Sequence, residues 1–183
     1  AQGLSVPFLL DSAARRMGRG LSRLYQHHLL HALRRSYRAK FQQRADGPVT
    51  LDELAQLRDF YAFDDRVTAP LHGYAGVDDY YARASCRPYL RHIAVPTLIL
   101  HAHDDPFMLP EAIPDPAELS ACTHLELSGG GGHVGFVGGR WPWRAEYWLE
   151  QRIPAFLAEQ WSSRSTATAS ARASAPAQCS ADR

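Results

Sequence analysis

With 183 residues, 45% of them apolar and 21% charged, the chain is long enough for one folded domain and is not intrinsically disordered as a whole. Its 20 basic and 19 acidic residues leave a formal net charge of +1, which excludes a global attraction to nucleic acid or to an anionic membrane. No stretch approaches the roughly 18 to 20 apolar residues of a membrane-spanning helix, so we expect no stable membrane insertion.

Cysteine usage predicts a cytoplasmic protein. Cys86, Cys122 and Cys179 are odd in number and far apart, which fits a reducing compartment better than a disulfide framework. The first residues show no signal-peptide pattern, and they read like the middle of a larger protein.

The first forty residues predict an amphipathic helix or a pair of helices. Between Asp11 and Lys40, apolar side chains recur at three- and four-residue spacing with arginines between them. Gly18 and Gly20 mark the expected break, and Asp11 is the predicted N-cap. The arginines indicate a solvated basic face, with contact to lipid head groups as the alternative.

Two more helices are predicted before the first strand. One begins after Thr50, whose hydroxyl is expected to form a capping box with Glu53, and extends through Phe60. The other covers about Val77 to Leu90.

The predicted secondary structure changes from helix to strand at residue 95. Residues 95–102 form a partly β-branched apolar run, typical of a strand buried on both faces, and residues 123–127 indicate a second strand. The last predicted helix covers Trp143 to Gln160, with a break or kink at Pro154. Residues 162–183 have low complexity, and we expect them to be a disordered tail.

Two parallel strands cannot form a stable sheet by themselves. We therefore expect that either a preceding N-terminal segment or a partner chain contributes the missing strands. The predicted fold class is α/β, with residues 1–161 as its folded part.

Candidate catalytic residues follow both strands. Asp104 and Asp105 come after the first strand, and His133 lies in a glycine-crowded turn after the second. An acid followed along the chain by a histidine, each just past a strand, is the order of an α/β-hydrolase triad. Asp105 would accept a hydrogen bond from Nδ1 of His133, and His133 would be the general base toward a serine. Asp104 is the alternative acid.

These residues also have simpler interpretations. Aspartates before Pro106 can merely cap a turn, and the glycine run can be a flexible loop that contains His133. The combination of a strand before the glycine turn, a helix after it and an acid upstream favours the catalytic interpretation.

Four segments resemble the YheT-like branch of the α/β-hydrolases, in that family's order: residues 63–90, VPTLILHAHDDPFM (95–108), GGGGHVGFVGG (129–139) and YWLEQRIPAFL (147–157). The resemblance implies a serine hydrolase that acts on carboxylic esters of small molecules or lipids and uses no metal or organic cofactor. It places the acid on Asp105, the fifth residue counted from His101, and the base on His133. It also implies an incomplete α/β-hydrolase fold, in which cap-like helices precede the last two parallel core strands and a C-terminal helix.

The sequence contains no GxSxG-type nucleophile elbow. Gly3-Leu4-Ser5-Val6-Pro7 matches the first half of this motif. An elbow needs a strand before it, however, and only two residues precede Gly3. Pro7 also replaces the small residue that the tight turn requires. Ser5 is therefore predicted to be structural, and the family resemblance implies a position where a core strand leads toward the cap helices. Without a nucleophile, we expect this chain alone to lack triad catalysis.

The other histidines do not predict a metal site. His27 and His31 are four residues apart on a helix but lack the glutamate and third ligand of a zinc-peptidase motif. Three residues of the helical region could line a substrate pocket or serve only packing: Asp64, Asp65 and His72.

Two functions of other classes are alternatives. A non-catalytic hydrolase remnant could pair an exposed sheet edge with another chain. The arginine-rich helix could bind nucleic acid, although the net charge of +1 leads us to expect no nucleic-acid partner.

Overall fold

The computed structural model describes residues 1–141 and 143–173, without the side chains of residues 140, 141 and 164–173. The chain divides into two compact units, Ala1–Val134 and Gly135–Arg183. The boundary falls inside the glycine-rich turn that contains His133.

A three-stranded parallel sheet lies in the first unit, in the order β1 (Gln2–Leu4), β2 (Thr97–Ala102), β3 (Thr123–Ser128). The central strand β2 is buried along its whole length, as its apolar run predicts. The prediction of only two core strands is wrong, because β1 is a third. This strand is too short to show alternation, and its pairing with residues 98–100 of β2 defines it.

Helices occupy most of the segment between β1 and β2. In chain order they are α1 (Leu10–Met17), α2 (Ser22–Phe41), α3 (Leu51–Gln56), α4 (Phe60–Phe63), a π-helix (Asp64–Thr68), α5 (Ala69–Leu71), α6 (Val77–Ala84) and a 3₁₀ helix (Arg87–His92). Two further 3₁₀ helices, Pro110–Ala112 and Pro116–Glu118, lie in the connection between the parallel strands β2 and β3.

The break between α1 and α2 confirms the predicted glycine break. Gly20 adopts a φ of +55°, a left-handed conformation that favours glycine. The predicted N-cap role of Asp11 is wrong, because the helix begins one residue earlier, at Leu10. The Oγ of Ser85 accepts the Leu10 N–H, and the Asp11 carboxylate pairs with Arg15 in the first turn.

The capping box at α3 is confirmed. The Thr50 hydroxyl accepts the N–H of Glu53, and the Glu53 carboxylate accepts the N–H of Thr50. The predicted continuation of this helix to Phe60 is wrong, because the chain becomes extended at Leu57 and Asp59 caps the new helix α4. The next predicted helix is likewise divided, into α6 and the first 3₁₀ helix.

Two clusters of buried apolar side chains stabilise the first unit. The larger one lies among α2, α3, α4 and the π-helix and consists of Leu30, Tyr37, Phe41, Val49, Leu54, Leu57, Phe63 and Val67. The other packs Phe8 and Leu90 against Ile99 of β2. The second cluster therefore anchors the helical segments to the sheet.

The described part of the second unit consists of an antiparallel hairpin and a helix: β4 (Val137–Trp141), β5 (Arg144–Tyr147) and α7 (Trp148–Ala173). The predicted helix start at Trp143 is wrong, because residues 144–147 pair with β4. Gly139 permits this pairing, since a Cβ at that position would overlap the backbone carbonyl of Arg144.

Helix α7 runs as one element past Pro154, where the sequence predicts a break or kink. It also continues to Ala173, into the segment for which the sequence predicts a disordered tail. Alanine and arginine are frequent in that part of the chain, and both have high helix propensity. Residues 174–183 of the predicted tail lie outside the described residues.

Replacing Leu54 by alanine tests the helical core. Its side chain in α3 is fully buried, so its truncation should lower the free energy of unfolding by about 2–5 kcal/mol in urea denaturation. Leu51→Ala in the same helix is the matched control. That side chain is 41% exposed, and its loss should cost less than about 1 kcal/mol. Equal losses for the two variants would contradict the described burial of α3.

Candidate active site

The ends of β2 and β3 bring the two predicted site residues together. The strands are parallel, with Ala102 of β2 opposite Ser128 of β3, so their carboxyl ends lie at one edge of the sheet. Asp105 follows β2, and His133 follows β3. This edge of an open parallel sheet is where ligand-binding and catalytic groups collect.

A direct hydrogen bond joins Asp105 to His133. The Oδ2 atom of Asp105 lies 2.9 Å from Nδ1 of His133. The second carboxylate oxygen, Oδ1, accepts the backbone N–H of Phe107 at 2.9 Å, so both oxygens are engaged. The side chain of Asp105 is 1% exposed and that of His133 is 34% exposed. A buried acid therefore holds an imidazole that is partly open to solvent.

Asp104, the alternative acid, contacts the glycine turn instead of the imidazole. Its Oδ1 atom accepts the N–H of Gly132 at 2.9 Å. Gly132 has a φ of +60°, which glycine adopts without the steric cost that a Cβ imposes. The neighbouring aspartates thus have different partners, since Asp105 orients the ring of His133 and Asp104 shapes the turn that carries it.

Aromatic contacts that sequence reasoning missed support the imidazole. Phe107 meets the His133 ring edge-on, with the centroids 4.9 Å apart and an interplanar angle of 79°. Phe107 also stacks on Tyr25 of α2, with a centroid distance of 4.7 Å. Ser22, at the start of α2, donates its hydroxyl to the Pro106 carbonyl at 3.1 Å. Helix α2 therefore holds the loop that follows β2.

Ser5 directly follows the short strand β1. Its predicted place, where a core strand leads toward the helices, is confirmed. Its φ of +44° is uncommon for a residue with a Cβ, and its backbone N–H donates to the Leu100 carbonyl at 2.9 Å. The buried Ser5 hydroxyl forms no hydrogen bond with any residue that the structure describes, including His133.

His101 lies buried in β2, next to the ring of Phe8. Burial lowers the pKa of His101, the nearby Asp105 carboxylate opposes this shift, and His103 and His133 reinforce it. The lowered pKa favours the neutral form of the His101 ring.

Asp64 and Asp65 take part in the packing of the helical region. Asp64 accepts hydrogen bonds from the Thr68 hydroxyl at 2.6 Å and from the Tyr81 hydroxyl at 2.8 Å. Burial raises the pKa of Asp64, and these two hydrogen bonds oppose the shift. Asp65 accepts the N–H of Val77 at 3.1 Å. These contacts connect the π-helix to α6.

The described ranges 1–141 and 143–173 contain no group of three or more His, Cys, Asp or Glu side chains that could hold a metal ion. His72 follows the end of α5. Within the same ranges, the helices are all too short or too polar to cross a membrane.

The buried carboxylate of Asp105 is hydrogen-bonded to His133 at the carboxyl edge of a parallel sheet, and the acid comes first along the chain. This is the arrangement of the α/β-hydrolase class. The chain is 43% identical over 155 residues to the Escherichia coli (strain K12) protein named "Putative esterase YheT", and the alignment covers 84% of the chain and 45% of that protein. The chain belongs to the YheT-like α/β-hydrolase family.

More distant relatives carry lipase names. Human phospholipase ABHD3 is 37% identical over 100 residues, which cover 54% of the chain and 24% of that protein. Monoacylglycerol lipase of Saccharomyces cerevisiae is 32% identical over 128 residues, which cover 66% of the chain and 28% of that protein. No family model and no solved structure matches the chain. The chain spans less than half the length of these relatives.

Asp105→Asn should change the tautomer of His133. The Asp105 carboxylate only accepts hydrogen bonds and so requires a proton on Nδ1, whereas an asparagine offers either a carbonyl or an amide. Nitrogen-15 chemical shifts of labelled histidine should report Nδ1–H in the wild type and a mixture of tautomers in the variant.

Asp104→Asn is the matched control for the tautomer measurement. Asp104 contacts Gly132 and not the imidazole, so this variant should keep the wild-type tautomer. One and the same tautomer in the wild type and both variants would contradict the orienting role of Asp105.

Proposed function

We propose that this chain supplies the acid and the base of a Ser-Asp-His triad in a hydrolase of carboxylic esters. The observation that carries the proposal is the 2.9 Å hydrogen bond between the buried Asp105 carboxylate and Nδ1 of His133. That bond occupies Nδ1, so Nε2 is the ring nitrogen that can take a proton from a serine hydroxyl.

His133 would transfer the proton, and Asp105 would orient its ring. Nε2 of His133 removes the hydroxyl proton as the serine attacks the ester carbonyl, and it returns this proton to the departing alcohol. The imidazolium formed in between is stabilised by the Asp105 carboxylate, which is nearly inaccessible to water. We infer that the reaction uses no metal and no organic cofactor.

The nucleophile of the triad is not assigned to any serine of this sequence. No GxSxG elbow is present, and the hydroxyl of Ser5 is buried without contact to His133 in the part of the chain that the structure describes. We propose that residues 1–161 act as the C-terminal portion of an α/β-hydrolase domain, with residues 162–183 as a tail outside it. The names of the lipase relatives support lipid esters as substrates. A cytoplasmic location remains a prediction from cysteine usage.

The isolated chain should therefore be inert toward esters. Neither turnover of short p-nitrophenyl esters nor labelling by a fluorophosphonate is expected, because labelling requires an activated serine. Turnover together with a labelled peptide that contains Ser5 would show that this chain carries its own nucleophile. The buried hydroxyl of Ser5 would then have to become accessible.

The roles of acid and base can be measured when a segment with a GxSxG elbow precedes this chain. In that protein, His133→Ala and Asp105→Asn should each lower kcat by about 10³-fold or more. Asp104→Asn is the matched control and should change kcat by less than about tenfold, since an asparagine oxygen can still accept the Gly132 N–H. An unchanged kcat for either triad variant would remove that residue from the mechanism.

A second candidate function is non-catalytic pairing with another chain. The observation that favours it is the sheet order, in which, among the described residues, β1 and β3 are each hydrogen-bonded to a strand on one side only. Such edges can accept a strand from a partner.

Mass measurement by size-exclusion chromatography with light scattering, combined with hydrogen exchange, tests this second candidate. A dimer with slow exchange of the β1 or β3 amides would support pairing. A monomer in which the amides of both edge strands exchange rapidly would contradict it.

A further inference from the structure

The hydrogen bond to Asp105 fixes one atom of the His133 ring and leaves the tilt of the ring open. With Nδ1 held 2.9 Å from Oδ2 of Asp105, the imidazole can still rotate about the line that joins these two atoms. Such a rotation moves Nε2, which has to come within about 2.6–3.2 Å of a serine hydroxyl to take its proton. The reaction proposed above therefore requires a second contact that fixes the tilt.

The ring of Phe107 provides such a contact. It lies edge-on to the imidazole of His133, with an interplanar angle of 79° and a centroid distance of 4.9 Å. Edge-to-face packing of aromatic rings is favourable at this distance, and a perpendicular neighbour blocks rotation of the imidazole toward it. The backbone N–H of Phe107 also donates to Oδ1 of Asp105 at 2.9 Å. One short loop therefore carries both the carboxylate that holds Nδ1 and the ring that limits the tilt.

Tyr25 of α2 determines where the Phe107 ring lies. The two rings stack with an interplanar angle of 18° and their centroids 4.7 Å apart. Ser22, three residues before Tyr25 on the same helix, donates its hydroxyl to the Pro106 carbonyl at 3.1 Å. Residues three apart on a helix are neighbours on its surface. This face of α2 thus contacts two successive loop residues, Pro106 at its backbone and Phe107 at its ring.

The position of α2 does not depend on the ring of Tyr25. Tyr25 is 45% exposed, whereas Leu30 of the same helix is 1% exposed and belongs to the larger buried cluster. Burial of Leu30, Tyr37 and Phe41 in that cluster holds the helix in place. The stacking contact between Tyr25 and Phe107 can therefore be removed while the fold is kept.

We propose that Tyr25 is a positioning residue for His133: through Phe107, its ring fixes the tilt of the imidazole and therefore the direction of Nε2. The proposal rests on the hydrolase function given above, and it gives a helix outside the sheet a part in the proton transfer. Tyr25 acts indirectly, so this role requires no contact with the serine or the ester. Placement matters because an error of about 1 Å between reacting groups can lower a rate by about 100-fold.

Nuclear magnetic resonance of the full chain tests the positioning contact without any turnover. The measured quantities are the nuclear Overhauser effect between the ring protons of Phe107 and His133, and the mobility of the His133 ring from carbon-13 relaxation of labelled histidine. Tyr25→Leu should weaken the Overhauser effect and increase the ring mobility. Tyr25→Phe is the matched control, because it keeps the stacked ring, and both quantities should stay at their wild-type values. His133→Gln identifies the His133 signals by their loss.

Rate measurements test the consequence for catalysis, in the protein in which a segment with a GxSxG elbow precedes this chain. Tyr25→Leu should lower kcat by about tenfold or more and change KM by less than about twofold, because a misplaced Nε2 slows proton transfer and leaves ester binding unaffected. Tyr25→Phe should keep kcat within about twofold of the wild type. In a Phe107→Leu background, Tyr25→Leu should change kcat by less than about twofold, since residues that act as a unit are not additive.

An unchanged Overhauser effect and ring mobility in Tyr25→Leu would overturn the proposal. A raised KM with an unchanged kcat would also overturn it, because Tyr25 would then contact the ester and not position His133. The same holds for a loss of about tenfold in kcat when Tyr25→Leu is added to Phe107→Leu. The magnetic resonance result is independent of the rates of the Asp105 and His133 variants, so the positioning contact can fail while the hydrolase proposal stands, and the reverse.

Discussion

The hydrogen bond between Asp105 and His133 is the interaction on which the functional interpretation of this chain depends. It exists because β2 and β3 are parallel and adjacent, so that their following loops meet at one sheet edge. Burial of the Asp105 carboxylate strengthens the bond, since little water competes for its oxygens. Asp104, through Gly132, and Phe107, through its ring contact, then limit where the imidazole can lie.

The contact between Asp105 and His133 was predictable from sequence because the signals for both residues are local. An apolar run that ends in two aspartates indicates a buried strand and its exit loop, and four glycines before His133 indicate a turn. The choice between the aspartates depended on a family resemblance. In the structure, Asp105 contacts the imidazole and Asp104 contacts the turn. The capping box and the glycine break of the helices are equally local features.

Features that depend on distant segments were not predictable in the same way. Strand β1 is defined only by its pairing with β2, about a hundred residues away. The contact of Tyr25 with Phe107 joins an exposed helix position to a loop, and no periodicity marks it.

A double-mutant cycle on the free energy of unfolding tests the central interaction most directly. With Asp105→Asn, His133→Gln and the double variant, a hydrogen bond of this kind predicts a coupling energy of about 1 kcal/mol or more. The cycle cancels the separate contact of Asp105 with the Phe107 N–H. Additive effects, within about 0.3 kcal/mol, would mean that the carboxylate and the imidazole do not interact, and the proposed acid–base pair would then have no physical basis.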